Sequence, residues 1–410
     1  MSNLTSNTKT NFQPFKLCAI ALAIASSTAF ADTPYEMTQA ELEATEAQLI
    51  AEQPEIMGDV RDSIRTLDND TVEAITANAN SNPANVKRVE DIIDSDMWDD
   101  LFSERATEYT YDNFLKAVGK FPAFCGDYDD GRDAEAICRK SLATMFAHFA
   151  QETGGHDANS DLPEWKQGLV YVREMGLTED SRGMYNSECN PAVWQGEAWP
   201  CGTFEDGSFK SYFGRGAKQL SYNYNYGPFS QAIYGDVNTL LDNPEKVADT
   251  WLNLASAVFF YLYPQPPKAS MLHVIDGTWE PNASDIAAGR EAGFGVTTLI
   301  INGGVECGGA TEHQQSQNRI DYYKGLADYL GVPIPDDEVL GCANMEFFDE
   351  ASSAALNIYW EQDWSWVAGN PQDGASFACK LVNYQTPYTA FLKGDYQRCV
   401  EDKFNVVVSQ

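Results

Sequence analysis

Histidine and basic side chains are scarce in this chain: 4 His and 27 Lys or Arg stand against 61 Asp or Glu, for a formal charge of −34. Such a balance argues against polyanionic partners, so neither nucleic acid nor an anionic membrane surface is expected to bind. It suits a neutral or weakly cationic substrate, or solubility at high ionic strength. The histidines are scattered and no C-x2-C or H-E-x-x-H spacing occurs, which leaves zinc without a ligand set. No apolar run reaches the roughly 20 residues a bilayer-spanning helix needs. The pair Gly214-Arg-Gly216 lacks the third glycine and the strand–loop–helix setting of a phosphate-binding loop. Strands and helices do not alternate as βαβ units would, and no internal repeat is visible.

What is present begins with a secretory signal. Lys9 and Lys16 supply a basic start, Leu17 to Ala25 a short apolar core, and Ala29-Phe30-Ala31 a cleavage site. The mature chain is therefore expected to begin at Asp32, outside the cytoplasm, in a periplasm or the medium. Removing residues 1–31 takes away two lysines and no acids, so the charge becomes about −36. Cys18 leaves with the signal. Cys125, Cys138, Cys189, Cys201, Cys307, Cys342, Cys379 and Cys399 remain, an even set that reads as disulfides in an exported protein. Eight cysteines allow about 105 connectivities; local closure favours 125–138, 189–201, 307–342 and 379–399.

Four segments are expected: the signal 1–31, an acidic arm 32–87, a catalytic domain 88–345 and a carboxy-terminal extension 346–410. The arm is helical in composition or partly disordered, with Ala40–Ala51 rich in helix formers and residues 77–83 reading as a linker. From Arg88 the chain turns rich in aromatics, glycine and cysteine. Helices are expected at Tyr111–Val118, Ile137–Glu152, Ala248–Tyr261 and Ser316–Leu330, and a short strand at Leu169–Arg173. The pattern is that of a mostly helical domain with a small sheet, stapled by disulfides. In the extension, Trp360, Trp364 and Trp366 offer either platforms for sugar rings or packing against a neighbour.

The chemistry centres on Glu152. Leu142, Met145, Phe146 and Phe149 recur at the spacing of one helix face, and Glu152 continues that stripe before Thr153-Gly154-Gly155 ends the helix. A carboxyl buried beside the negative end of a helix dipole is expected to have a raised pKa, as a general acid needs. The alternative is a helix-end Glu turned into solvent. Glu174 follows at the end of the expected strand, and two carboxylates on opposite walls of a cleft can divide glycoside hydrolysis between them. The run Tyr212 to Pro228 sets Gln219, Ser221, Asn223 and Asn225 among Tyr222, Tyr224 and Tyr226, a density of amides, hydroxyls and rings suited to reading a sugar chain.

Here the sequence resembles the glycoside hydrolase family 19 chitinases. The resemblance rests on Tyr109–Phe114 with Phe121-Pro122, Gln151–Gly155, Glu174, Trp199-Pro-Cys201, Tyr212–Pro228 and Gln265–Lys268. Gly293–Val296, Ile301–Cys307, Asn318–Ile320, Tyr323-Lys324 and Cys342 continue it in order, over roughly residues 90–342. It implies an α+β, lysozyme-like, two-lobed helical domain with a small antiparallel sheet and a substrate cleft. By position it implies Glu152 as general acid, Glu174 as general base and Ser221 as holder of the attacking water. It implies Gln219, Tyr224, Asn225, Lys268 and Asn302 along the subsites, and Glu306 and Arg319 near the acid. An Arg there would lower the acid's pKa and oppose burial. Trp199 is an aromatic wall or packs on the 189–201 bridge. The resemblance also implies inverting cleavage of chitin or chitooligosaccharides without a metal or organic cofactor, by a protein expected to be a monomer. Two departures stand out: Gln151 replaces a histidine common before the acid, and Ala217-Lys218 replaces a proline and an aliphatic residue. A peptidoglycan hydrolase of the same fold and a non-catalytic chitin-binding protein are the competing readings.

Overall fold

The helix Ala134–Thr153 is the axis on which the rest is assembled. Asp133 starts it by accepting from the Glu135 and Ala136 backbone N–H groups at 3.1 and 3.0 Å. Its expected stripe is buried, but so are Ala143, Ala147 and Ala150, so the helix is enclosed on nearly every side. The computed structural model describes residues 35–364, 378–404 and 406–409; the signal segment and Trp366 lie outside the described residues.

Gln314–Leu330 packs along this central helix, and Tyr111–Lys120 packs on Leu252–Leu262. Aromatic rings fill the junction. Trp98 stacks on Phe114 at 4.7 Å, and Phe102 meets Phe146 edge-on at 5.1 Å. The single helix expected over Ala248–Tyr261 is two, Lys246–Asp249 and Leu252–Leu262. Thr250 divides them: its hydroxyl donates to Lys246 O at 2.8 Å, closing the first, and accepts from Leu252 N at 3.3 Å, opening the second.

Leu169–Arg173 is not a strand. Leu169 has φ +65° and only Arg173 forms a bridge, to Arg215. The backbone there bonds to a helix end instead of a ladder. The two sheets among the described residues lie elsewhere, each of two strands. Tyr359–Asp363 pairs antiparallel with Ala378–Val382, and Tyr35–Thr38 pairs parallel with Val406–Ser409.

The second sheet joins the two ends of the described chain. Met37, Leu42, Met57 and Val60 share a small core with Ile358, Trp360, Tyr396 and Val400. Val72, Ile75 and Val86 instead enter the main core. The Cys379–Cys399 bridge ties the strand Ala378–Val382 to the helix Asp395–Lys403. Cys125–Cys138, Cys189–Cys201 and Cys307–Cys342 staple the larger core.

Candidate active site

Three chain segments are laced together at the end of the central helix. Thr153 O accepts from Val170 N and Tyr171 N at 2.9 and 3.1 Å, and Thr153 Oγ1 accepts from Leu169 N at 3.0 Å. Gly154 is required by close approach: a Cβ there would lie 2.2 Å from Ala150 O. The next lace runs from Glu174 N to Gly214 O, 2.9 Å, so the segment bearing Glu174 is held between the helix end and the Tyr212–Pro228 run. Gly216 turns that run with φ +74° against Asn253 O, where a side chain would clash. Glu152 and Glu174 consequently line the same cleft, of about 700 Å³, with Ser221, Gln219, Tyr224, Asn225 and Asn302.

Glu152 has only 17% of its side chain exposed and sits on a buried cation. Arg319 Nη2 donates to Glu152 Oε1 at 2.6 Å. The same guanidinium donates twice to Glu306, at 2.9 and 2.8 Å, and Asn302 Nδ2 donates to Glu306 Oε1 at 2.7 Å. Arg319 Nη1 meets His148 Nδ1 at 3.0 Å, while His148 Nε2 meets Thr297 Oγ1 at 3.0 Å. Burial, then Arg319 and Lys218, hold His148 well below its ordinary pKa, so it is neutral. With Nδ1 accepting from Arg319, the remaining proton lies on Nε2 and faces Thr297.

The expectation of a raised pKa at Glu152 is not met. Burial is the largest single influence and pushes it up, but Arg319, Lys218 and His156 together bring it below the ordinary carboxylate value. Lys218 lies at the cleft with its ammonium 4.3 Å from the centre of the Phe260 ring. Its influence on Glu152 was not inferred from sequence, where it stood only as a departure from the family pattern.

Glu174 is held by uncharged donors. Tyr185 Oη donates to Oε1 at 2.9 Å and Gly214 N to Oε2 at 3.2 Å. Burial and Glu174 push the Tyr185 phenol up to about 12, so it remains a donor. Tyr185 stands eleven residues from Glu174, outside any motif singled out in the sequence. Ser221 Oγ donates to Gln219 O at 2.9 Å, and Asn225 Nδ2 to Ser221 O at 2.8 Å, which fixes the hydroxyl's segment beside the cleft. Tyr222 and Tyr224 stack at 5.2 Å, and Trp194, 49% exposed, stands tilted beside Tyr224.

Two expected subsite residues are not among those lining the cleft. Trp199 is 4% exposed because Gly227 packs against its six-membered ring, and its Nε1 donates to Gln385 Oε1 at 3.2 Å. Lys268 turns its ammonium onto Ile300 O at 3.0 Å. Asn223 is fully buried, its amide donating to the carbonyls of Trp199 and Gln195 at 2.8 and 3.0 Å. Among the described residues no group of three or more His, Cys, Asp or Glu forms a metal-binding cluster.

Residues 92–342 match the sequence model of glycoside hydrolase family 19, described as "Chitinase class I". Endochitinase 2 of Solanum tuberosum is 37% identical over 267 residues, 63% of this chain and 76% of that protein. Endochitinase B of Nicotiana tabacum is 38% identical over 266 residues, covering 63% of this chain and 74% of its own. Among solved structures, chitinase C from Streptomyces griseus HUT6037 aligns over 61% of this chain and 97% of that one, at 24% identity and a TM-score of 0.45.

Proposed function

The chain belongs to the glycoside hydrolase family 19 chitinases, and from that membership we propose a secreted endochitinase that cleaves β-1,4 bonds of N-acetylglucosamine polymers with inversion. The observation that carries the reading is the pairing of unlike carboxylates on one cleft: Glu152 on the buried Arg319, Glu174 on Tyr185 and the Gly214 N–H.

In this reading Glu152 gives its proton to the glycosidic oxygen as the bond from that oxygen to C1 breaks. A water held by Ser221 and Glu174 attacks C1 from the opposite face, and Glu174 takes the proton that water loses. Inverting hydrolases keep their two carboxyls roughly 6.5–9.5 Å apart to admit such a water. The resting proton distribution is then restored from solvent. Arg319 and Lys218 favour the Glu152 carboxylate that the reaction leaves behind. Covering the cleft with sugar removes its remaining water and favours the protonated form before the bond breaks.

Glu152→Gln and Glu174→Gln each keep side-chain shape while removing the proton donor or acceptor. Each is expected to lower kcat on N-acetylglucosamine hexamer by about 10²- to 10⁴-fold, with oligosaccharide binding kept. Turnover like the wild type in either variant would refute the assignment. Sugar release from colloidal chitin, compared with purified peptidoglycan, tests the polymer.

A further inference from the structure

The matched family region ends at residue 342, yet the cleft does not. Asn383, Tyr384 and Gln385 of the carboxy-terminal extension line the same space as Glu152 and Glu174. Asn383 and Tyr384 also line an adjoining hollow of about 480 Å³ with Glu350, Asn357 and Lys380. Tyr384 therefore stands between the catalytic cleft and this second depression, with 53% of its surface open.

The loop is fixed on both sides. Gln385 accepts from Trp199 Nε1 at 3.2 Å and donates to Tyr224 O at 3.4 Å, joining it to the wall that carries Trp194 and Tyr224. Asn383 Nδ2 donates to Glu350 Oε1 at 2.9 Å, and Thr386 Oγ1 to Trp360 O at 2.8 Å. Phe391 docks edge-on against Tyr263 at 5.5 Å. Of the tryptophans that offered either sugar platforms or packing, Trp360 packs, buried against Tyr396 at 4.7 Å, while Trp364 stays exposed with its ring edge-on to Phe404 at 5.6 Å.

We propose that the extension supplies a subsite for one N-acetylglucosamine unit of a long chain, with the Tyr384 ring as its platform and Asn383 as its amide contact. An open aromatic face matches the C–H face of a pyranose, and a fixed amide beside it can read the acetamido or hydroxyl groups. The subsite lengthens the cleft beyond the segment shared with the family, and it rests on the chitin reading above.

The test compares full-length wild type, Tyr384→Ala and Tyr384→Phe on N-acetylglucosamine tetramer and hexamer. Loss of one aromatic platform is expected to lower kcat/KM on the hexamer about tenfold. The tetramer, which can be cut in registers that leave the Tyr384 end of the cleft empty, should lose clearly less than the hexamer, and Tyr384→Phe, which keeps the ring, should match the wild type. A structural role for Tyr384 would not produce that dependence on length. Equal losses on both substrates, no loss on either, or faster hexamer cleavage by Tyr384→Ala would overturn the subsite while leaving the enzyme reading intact. A wild-type protein that leaves the hexamer uncut overturns that reading and this inference with it.

Discussion

At Glu152 two opposing influences meet, and the cations win in the free protein. Burial favours the neutral acid, while Arg319 and Lys218 favour the carboxylate. The proton donor is therefore best populated at acidic pH, and kcat/KM should fall as pH rises through the lowered pKa of the free acid. In the complex, desolvation by sugar should move the corresponding limb of kcat to higher pH. Replacing Lys218 by Met keeps an unbranched apolar chain on Phe260 and removes one of the influences that favour the carboxylate. The kcat/KM limb should then move to higher pH, as a pH–rate profile would record; an unmoved limb would contradict this account of the charge balance. Tyr185→Phe removes one donor to Glu174. It should lower kcat about 10- to 150-fold with little change in KM, since a hydrogen bond to a charged group is worth about 1.5–3 kcal/mol. The position of Glu152 at the end of a buried stripe was legible from helical spacing alone. Helical spacing alone pointed to the wrong sign of its pKa shift: the opposing pull of Arg319, 167 residues away, came only with the family resemblance, and that of Lys218, 66 residues away, came with neither.

Among the elements, helices read well where one residue caps or ends them. Tyr111–Lys120 and Gln314–Leu330 lie within two residues of their expected bounds. The strand expected at Leu169–Arg173 failed because β-branched composition does not reveal that Thr153 takes up three of that segment's N–H groups. The same contact sets a test of the lacing. Gly154→Ala would place a methyl against Ala150 O, so Tm should fall by an amount corresponding to about 1–3 kcal/mol. Calorimetry with a hexamer assay should show stability and activity falling together; an unchanged Tm would mean that the helix end tolerates the side chain and does not fix the two carboxylates.

For the molecule as a whole, the start of the arm and the end of the extension form one unit with its own small core, while Val72, Ile75 and Val86 join the main one. The arm and the extension read as separate pieces because a parallel pairing between residues 35–38 and 406–409 leaves no local signal in either. Their shared core backs the loop that carries Tyr384. Removing the Cys379–Cys399 bridge with paired serines should cost this unit about 2–4 kcal/mol. The loss should appear as an earlier unfolding transition and as selective loss of hexamer cleavage, measured by calorimetry and kinetics; equal losses on tetramer and hexamer would separate the unit from the cleft. The central claim, hydrolysis by two carboxylates acting from opposite faces of the sugar, is tested most directly by proton NMR of the first products from N-acetylglucosamine hexamer. With inversion, the new reducing end appears first as the α-anomer and only later equilibrates. A first product in the β form would contradict it.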